Sequence, residues 1–268
     1  MLAELVEIVP GGVEEERGET YVEYAIYGPP GEIPELPDIE AAAGDGLVEI
    51  ETTEIPDDWA DRWRDFHEPV IVGDWLVVRP SWEDWEEPEP GAGLSDRIEV
   101  VIDPGRAFGT GAHATTSLSL ELLGELAASS PERGSVADLG TGSGVLAIAA
   151  ALLGYGPVLA LDHELPAVEA AAANAELNGA EVEVARRNLR EQPGPPAKTW
   201  LANLTAPLLV AVAGLMPAAG EGGPEQLVVS GLLARERGLV EAAFAERGYR
   251  VVAFREGGEW GALRLAAG

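Results

Sequence analysis

The chain has 268 residues, 46% of them hydrophobic, no cysteine and a formal net charge of −30. The missing cysteines exclude disulfides, thiolate catalysis and cysteine-ligated zinc, and a field of that sign repels nucleic acid and attracts basic partners. The length suits one medium or two small domains, and the longest apolar stretch, around 145–153, is too short to span a bilayer, so a cytoplasmic protein with no membrane association is expected.

The acidity is uneven. Residues 1–104 hold 29 acidic and 5 basic side chains, a balance of −24, which leaves −6 for the remainder, and Lys198 is the single lysine against sixteen arginines. Glu4 and Glu7 stand where a signal peptide would carry basic residues. Strand candidates at 6–9, 21–27 and 47–53, with prolines at 29, 30, 34 and 37 and a helical turn at 39–43, describe a thin α+β domain over residues 1–55. Asp57 can cap a helix, spanning 56–68, in which Trp59, Trp63 and Phe66 share one stripe suited to packing. A strand and turn follow over 75–82, then an acidic, proline- and glycine-rich loop over 83–93.

Residues 103–116 read Asp-Pro-Gly-Arg-Ala-Phe-Gly-Thr-Gly-Ala-His-Ala-Thr-Thr, a turn-rich loop whose two threonines can cap a helix running to about 128. Then Ala137-Asp138-Leu139-Gly140-Thr141-Gly142-Ser143-Gly144 leads into an apolar helix, a strand, glycine turn and helix that bring backbone close to a bound nucleotide. The dinucleotide fingerprint wants glycine where this chain has Val145. Asp162 ends the next apolar run, at the carboxyl edge of a second parallel strand, where a carboxylate can accept both ribose hydroxyls; taken singly, Asp138 and Asp162 also read as strand-end caps. Beyond it Leu165, Val168, Ala172 and Ala175 repeat on one helical face and Asn178-Gly179 supplies a left-handed stop. Strands are expected near 136–139, 157–161, 181–185, 199–203, 226–230, 249–255 and 259–266, with helices between the first six and the last two forming a hairpin. Asn203 closes the fourth of these strands; an isolated asparagine there is a helix cap more often than a functional group.

The spacing Gly-x-Gly-x-Gly resembles motif I of class I S-adenosylmethionine-dependent methyltransferases, and seven strands match their doubly wound, Rossmann-like sheet. More narrowly, Asp103–Thr116 is similar to the DPG-x-AFGTG-x-H-x-TT signature of the bacterial ribosomal protein L11 methyltransferases, a resemblance covering roughly residues 57–268. It implies a methyltransferase domain over 69–268, S-adenosylmethionine as cofactor held by Thr116, Gly140, Gly142, Asp162 and Asn203, and no metal. It also implies that Asn203 aims the lone pair of an attacking amine, that Phe108 shields the pocket and that His113 stabilises its loop. The implied partner is a basic ribosomal protein recognised by the N-terminal domain, here shortened, without direct nucleic-acid binding. The chain departs from the family at His163-Glu164-Leu165-Pro166, at Lys198, and in its poorly matched first 55 residues. Competing readings are a methyltransferase for another protein or a small molecule, and a non-catalytic cofactor-binding interaction protein. Asn203 together with the whole 103–116 signature favours an enzyme, because binding alone needs no group to aim a nucleophile.

Overall fold

A computed structural model describes residues 14–17, 22–25, 69–83, 97–103, 113–130 and 132–268. It divides into two compact units, Met1–Ala60 and Asp61–Gly268. In the first, β1 (Glu14–Arg17) pairs antiparallel with β2 (Val22–Ala25). The strand expected at 21–27 is β2, whereas β1, Glu-Glu-Glu-Arg, has no apolar alternation to announce it. The other elements expected before residue 69, the Trp59–Trp63–Phe66 helix among them, lie outside the described residues.

The second unit opens with a three-stranded sheet of β3 (Val70–Val72), β4 (Leu76–Pro80) and β5 (Ile98–Ile102), where β3 is antiparallel and β5 parallel to β4. Only β4 was foreshadowed, by the run at 75–82. Then come α1 (Ala114–Ser129), β6 (Val136–Leu139), α2 (Val145–Leu152), β7 (Val158–Asp162), α3 (Leu165–Leu177), β8 (Val182–Arg186), β9 (Thr199–Asn203), α4 (Ala206–Leu215), β10 (Gln226–Leu233), α5 (Arg237–Ala245), β11 (Tyr249–Gly257) and β12 (Trp260–Ala267). Seven of these strands form one sheet in the order β11-β12-β10-β9-β6-β7-β8. The five strands from β10 to β8 pair in parallel, and β12 runs antiparallel to both its neighbours. This is the expected α/β doubly wound sheet.

Two hydrophobic clusters make the core. One joins α1 and α2 to the three-stranded sheet, with Leu76, Val100, Leu122 and Ile148 fully buried; the other carries Trp200, Leu209, Val240 and Phe244 beneath α4 and α5. Among the described residues no helix is long and apolar enough to cross a membrane.

Two local expectations are corrected. No helix connects β8 to β9: residues 187–198 contain Pro193, Pro195 and Pro196 around Gly194, and prolines remove the donors a helix needs. Trp200 holds this connection instead, donating from Nε1 to the Pro195 carbonyl at 3.0 Å. On α3 the buried face is Ala167, Ala171, Asn174 and Ala175, while Leu165 is 51% exposed. The small residues face inward because the helix seats closely on a glycine turn, and a stripe read from bulk hydrophobicity misses that face.

Candidate active site

The sheet reverses its winding between β6 and β9, and in open α/β sheets ligands bind outside the strand carboxyl ends at such a switch point. A cavity of about 600 Å³ lies there, lined by residues that follow or end β6, β7, β8, β9 and β10. Its volume suits a small-molecule ligand.

Gly140, Thr141 and Gly142 line it, within the glycine turn over residues 140–144. The Gly140 and Thr141 N–H groups donate to the Leu161 carbonyl at 2.8 and 2.9 Å, stitching the turn to β7. Gly140, Gly142 and Gly144 have φ of 76°, 55° and 88°, left-handed values that L side chains avoid. A Cβ on Gly144 would sit 3.1 Å from the Ala171 backbone, so this glycine also permits the close approach of α3. Val145 is the first residue of α2 and is buried, which completes a glycine turn of a different kind from the dinucleotide motif.

Two carboxylates flank the turn. Asp162, 8% exposed at the end of β7, accepts from Gly142 N–H through Oδ2 (3.0 Å) and from Glu164 N–H through Oδ1 (3.1 Å). It lines the cavity, and a carboxylate so placed retains acceptor capacity toward a ligand. His163 Nδ1 lies 3.4 Å from its Oδ1. Asp138 is buried beneath the turn, where its Oδ2 accepts from Thr141 Oγ1 at 2.6 Å and its Oδ1 has no hydrogen-bond partner. Burial pushes its carboxyl up to about 7, an effect the Thr141 bond offsets only in part.

Across the cavity, Asn203 ends β9. Its Nδ2 donates to Thr116 Oγ1 at 3.3 Å, which fixes Oδ1 as the opposite, acceptor end of the amide. Thr116 is fully buried, so its hydroxyl braces Asn203. Gly231, φ 84°, stands at a bulge in β10 beside it, and a Cβ there would come within 2.5 Å of the Leu204 carbonyl and 2.9 Å of Asn203 Oδ1. The cap of α1 is His113 rather than a threonine: its ring accepts from Thr115 N–H at 3.4 Å and lies 2.8 Å from Thr115 Oγ1. The His113 ring also packs edge-on against Trp260, with centroids 5.0 Å apart, and both line the cavity.

Thr116, Gly140, Gly142, Asp162 and Asn203 are thus gathered at one cavity, and Phe108 lies outside the described residues. Residues 35–267 match the family described as ribosomal protein L11 methyltransferase. The chain belongs to that family.

Among L11 methyltransferases, the protein of Pelotomaculum thermopropionicum is 42% identical over 210 residues, which are 77% of this chain and 65% of that protein. That of Geobacter sulfurreducens is 40% identical over 230 residues, 85% of this chain and 73% of that protein. The matched region is therefore about two thirds of the length of these relatives. A crystal structure of ribosomal protein L11 methylase from Lactobacillus delbrueckii subsp. bulgaricus superposes with a TM-score of 0.64 at 30% identity, covering 75% of this chain and 99% of that one.

The sequence reading missed the far wall of the cavity, which includes Arg187, Asn188, Leu189 and Arg190 after β8, Leu208 on α4, and Trp260. The first four follow a strand carboxyl end one place beyond Asp162 in the sheet, and that position was the available signal. Trp260 carried none, because the β10 and β12 pairing that brings it here joins residues distant in the chain.

Proposed function

We propose that this protein is an S-adenosylmethionine-dependent N-methyltransferase acting on amino groups of ribosomal protein L11. The observation that carries the reading is the Asn203 amide, oriented by Thr116 at the rim of a cavity lined by the glycine turn and Asp162. The cofactor fits this chemistry. The glycine turn lets the backbone approach the methionine and ribose portions, and Asp162 offers oxygens to ribose hydroxyls. Bound there, it supplies an electrophilic methyl group on a sulfonium.

What remains for the chain is positioning and desolvation. Asn203 Oδ1 accepts a hydrogen bond from the amine N–H and so points the lone pair along one line, and the Thr116 bond prevents the amide from turning its donor into the cavity. The amine must arrive neutral although a lysine ordinarily titrates near ~10.4. Leu204, Leu208 and Trp260 give the cavity apolar surface that disfavours the ammonium. His113 caps α1 and buttresses Trp260, a supporting role with no proton to move. Phe108 is assigned to shielding the same pocket on the resemblance alone, and residues 1–55 to recognition of the ribosomal protein.

The test is incubation of the full chain with S-adenosylmethionine and unmethylated recombinant L11, followed by peptide mass spectrometry. Methyl additions on lysine side chains or the α-amine are expected. Methylation of carboxyl or hydroxyl groups, or none on L11 by a protein that binds the cofactor, would overturn the substrate assignment.

A further inference from the structure

Helix α3 and its cap meet the end of β5, in the three-stranded sheet, through two asparagines one turn apart. Asn178 pairs with Val101 of β5, accepting from its N–H through Oδ1 (2.8 Å) and donating from Nδ2 to its carbonyl (2.7 Å). Asn174 repeats the pairing two residues on, accepting from the Asp103 N–H (2.9 Å) and donating to the Asp103 carbonyl (3.3 Å). A primary amide presents a donor and an acceptor side by side, as a peptide group does, so Asn178 pairs with β5 as a neighbouring strand would and Asn174 continues that pairing just past its end.

Asn174 makes one bond that Asn178 lacks. Its Nδ2 also donates to the Ser143 carbonyl at 2.9 Å, inside the glycine turn, and the residue is only 1% exposed. Three residues earlier on the same face, Ala171 lies against Gly144. The turn is therefore gripped from two sides: β7 holds the Gly142 N–H through Asp162, and α3 holds the Ser143 carbonyl, two peptides on, through Asn174. Neither Ser143 nor Asp103 belongs to a strand ladder, since β6 ends at Leu139 and β5 at Ile102.

We infer that Asn174 is a positioning residue for the cofactor. It sets the 140–144 turn in the conformation that receives the nucleoside and locks it in register with the end of β5, from which the chain continues to His113 at the cavity. The inference rests on the reading that this cavity takes S-adenosylmethionine.

Calorimetric titration of the full chain with S-adenosylhomocysteine tests it, with Asn174→Ala, Asn174→Asp and Asn178→Ala beside the parent. Asn174→Asp keeps the acceptor for Asp103 and sets an oxygen against the Ser143 carbonyl. Both Asn174 variants are expected to weaken binding by about tenfold or more, and Asn178→Ala, which loosens the same strand one turn away, by less than about twofold. The fitted stoichiometry counts folded molecules and the Kd belongs to those molecules, so a partly unfolded preparation still answers. Thermal melts show how much stability each change removes. Asn174 variants that melt lower yet bind within about twofold of the parent would reduce Asn174 to a structural clamp and overturn the inference. A parent that binds no S-adenosylhomocysteine would instead overturn the cofactor reading.

Discussion

At the residue scale, the proposed function assigns some groups to holding a ligand and others to directing a nucleophile, and single substitutions should separate them. Asp162→Ala removes the acceptor of the Gly142 and Glu164 N–H groups along with the proposed ribose contact, so S-adenosylhomocysteine affinity should fall by about 1–3 kcal/mol in calorimetry. An unchanged Kd would place the ribose elsewhere. Asn203→Ala removes the group proposed to meet the incoming amine, so kcat should fall by about 10–100-fold while cofactor affinity holds. A variant with the parental kcat would leave Asn203 as no more than a strand terminus. Asp138 behaves differently. Burial keeps its carboxyl protonated to about pH 7, against an ordinary value of 3.8, so the folded state binds the extra proton across that interval. Its contribution to stability is complete below about pH 4 and is lost as pH rises toward 7. Asp138→Asn should therefore raise the melting temperature at about pH 8, by a stabilisation on the order of 1–3 kcal/mol, and change it little at about pH 4. Equal effects at both pH values would assign the change to the Thr141 bond.

At the scale of elements, the glycine turn is the most constrained piece. Gly144→Ala must force a side chain into φ 88° and against the Ala171 backbone at 3.1 Å, so it should cost about 1–3 kcal/mol by denaturant unfolding. This turn was legible in the sequence because glycine spacing reports backbone geometry directly, and the parallel strands were legible as short apolar runs ending at Asp162 and Asn203. What escaped had physical reasons. Strand β5 pairs with the capping asparagine of a helix as well as with β4, and a polar residue at 174 interrupts the apolar stripe by which a buried helix face is recognised. The missing helix before β9 escaped because the strand–helix alternation was extended across residues 193–196, whose prolines opposed it. Within the site, Asn203 was legible from its place at a strand end, whereas Gly231 and Trp260 are brought in by long-range pairing that leaves no local mark.

On the scale of the whole molecule, charge dominates. A balance of −24 over residues 1–104 should speed the encounter with a basic protein. Raising salt from about 0.1 M to 1 M shortens the screening length from about 10 to 3 Å. Association with L11 in stopped-flow should then slow by about tenfold or more, with S-adenosylhomocysteine binding nearly unchanged. A salt-insensitive association rate would make the acidity a matter of solubility. The order of the sheet has a different consequence, one for biosynthesis. Strand β11 precedes β12 in the chain, yet β12 lies between β10 and β11. A nascent polypeptide that has reached Gly257 thus has no edge ready for β11, and Tyr249 and Phe254 wait outside the sheet until residues 260–267 emerge and dock. The sheet is complete only with its last strand, so a chain truncated before residue 260 should expose apolar side chains that β12 otherwise covers, and should aggregate.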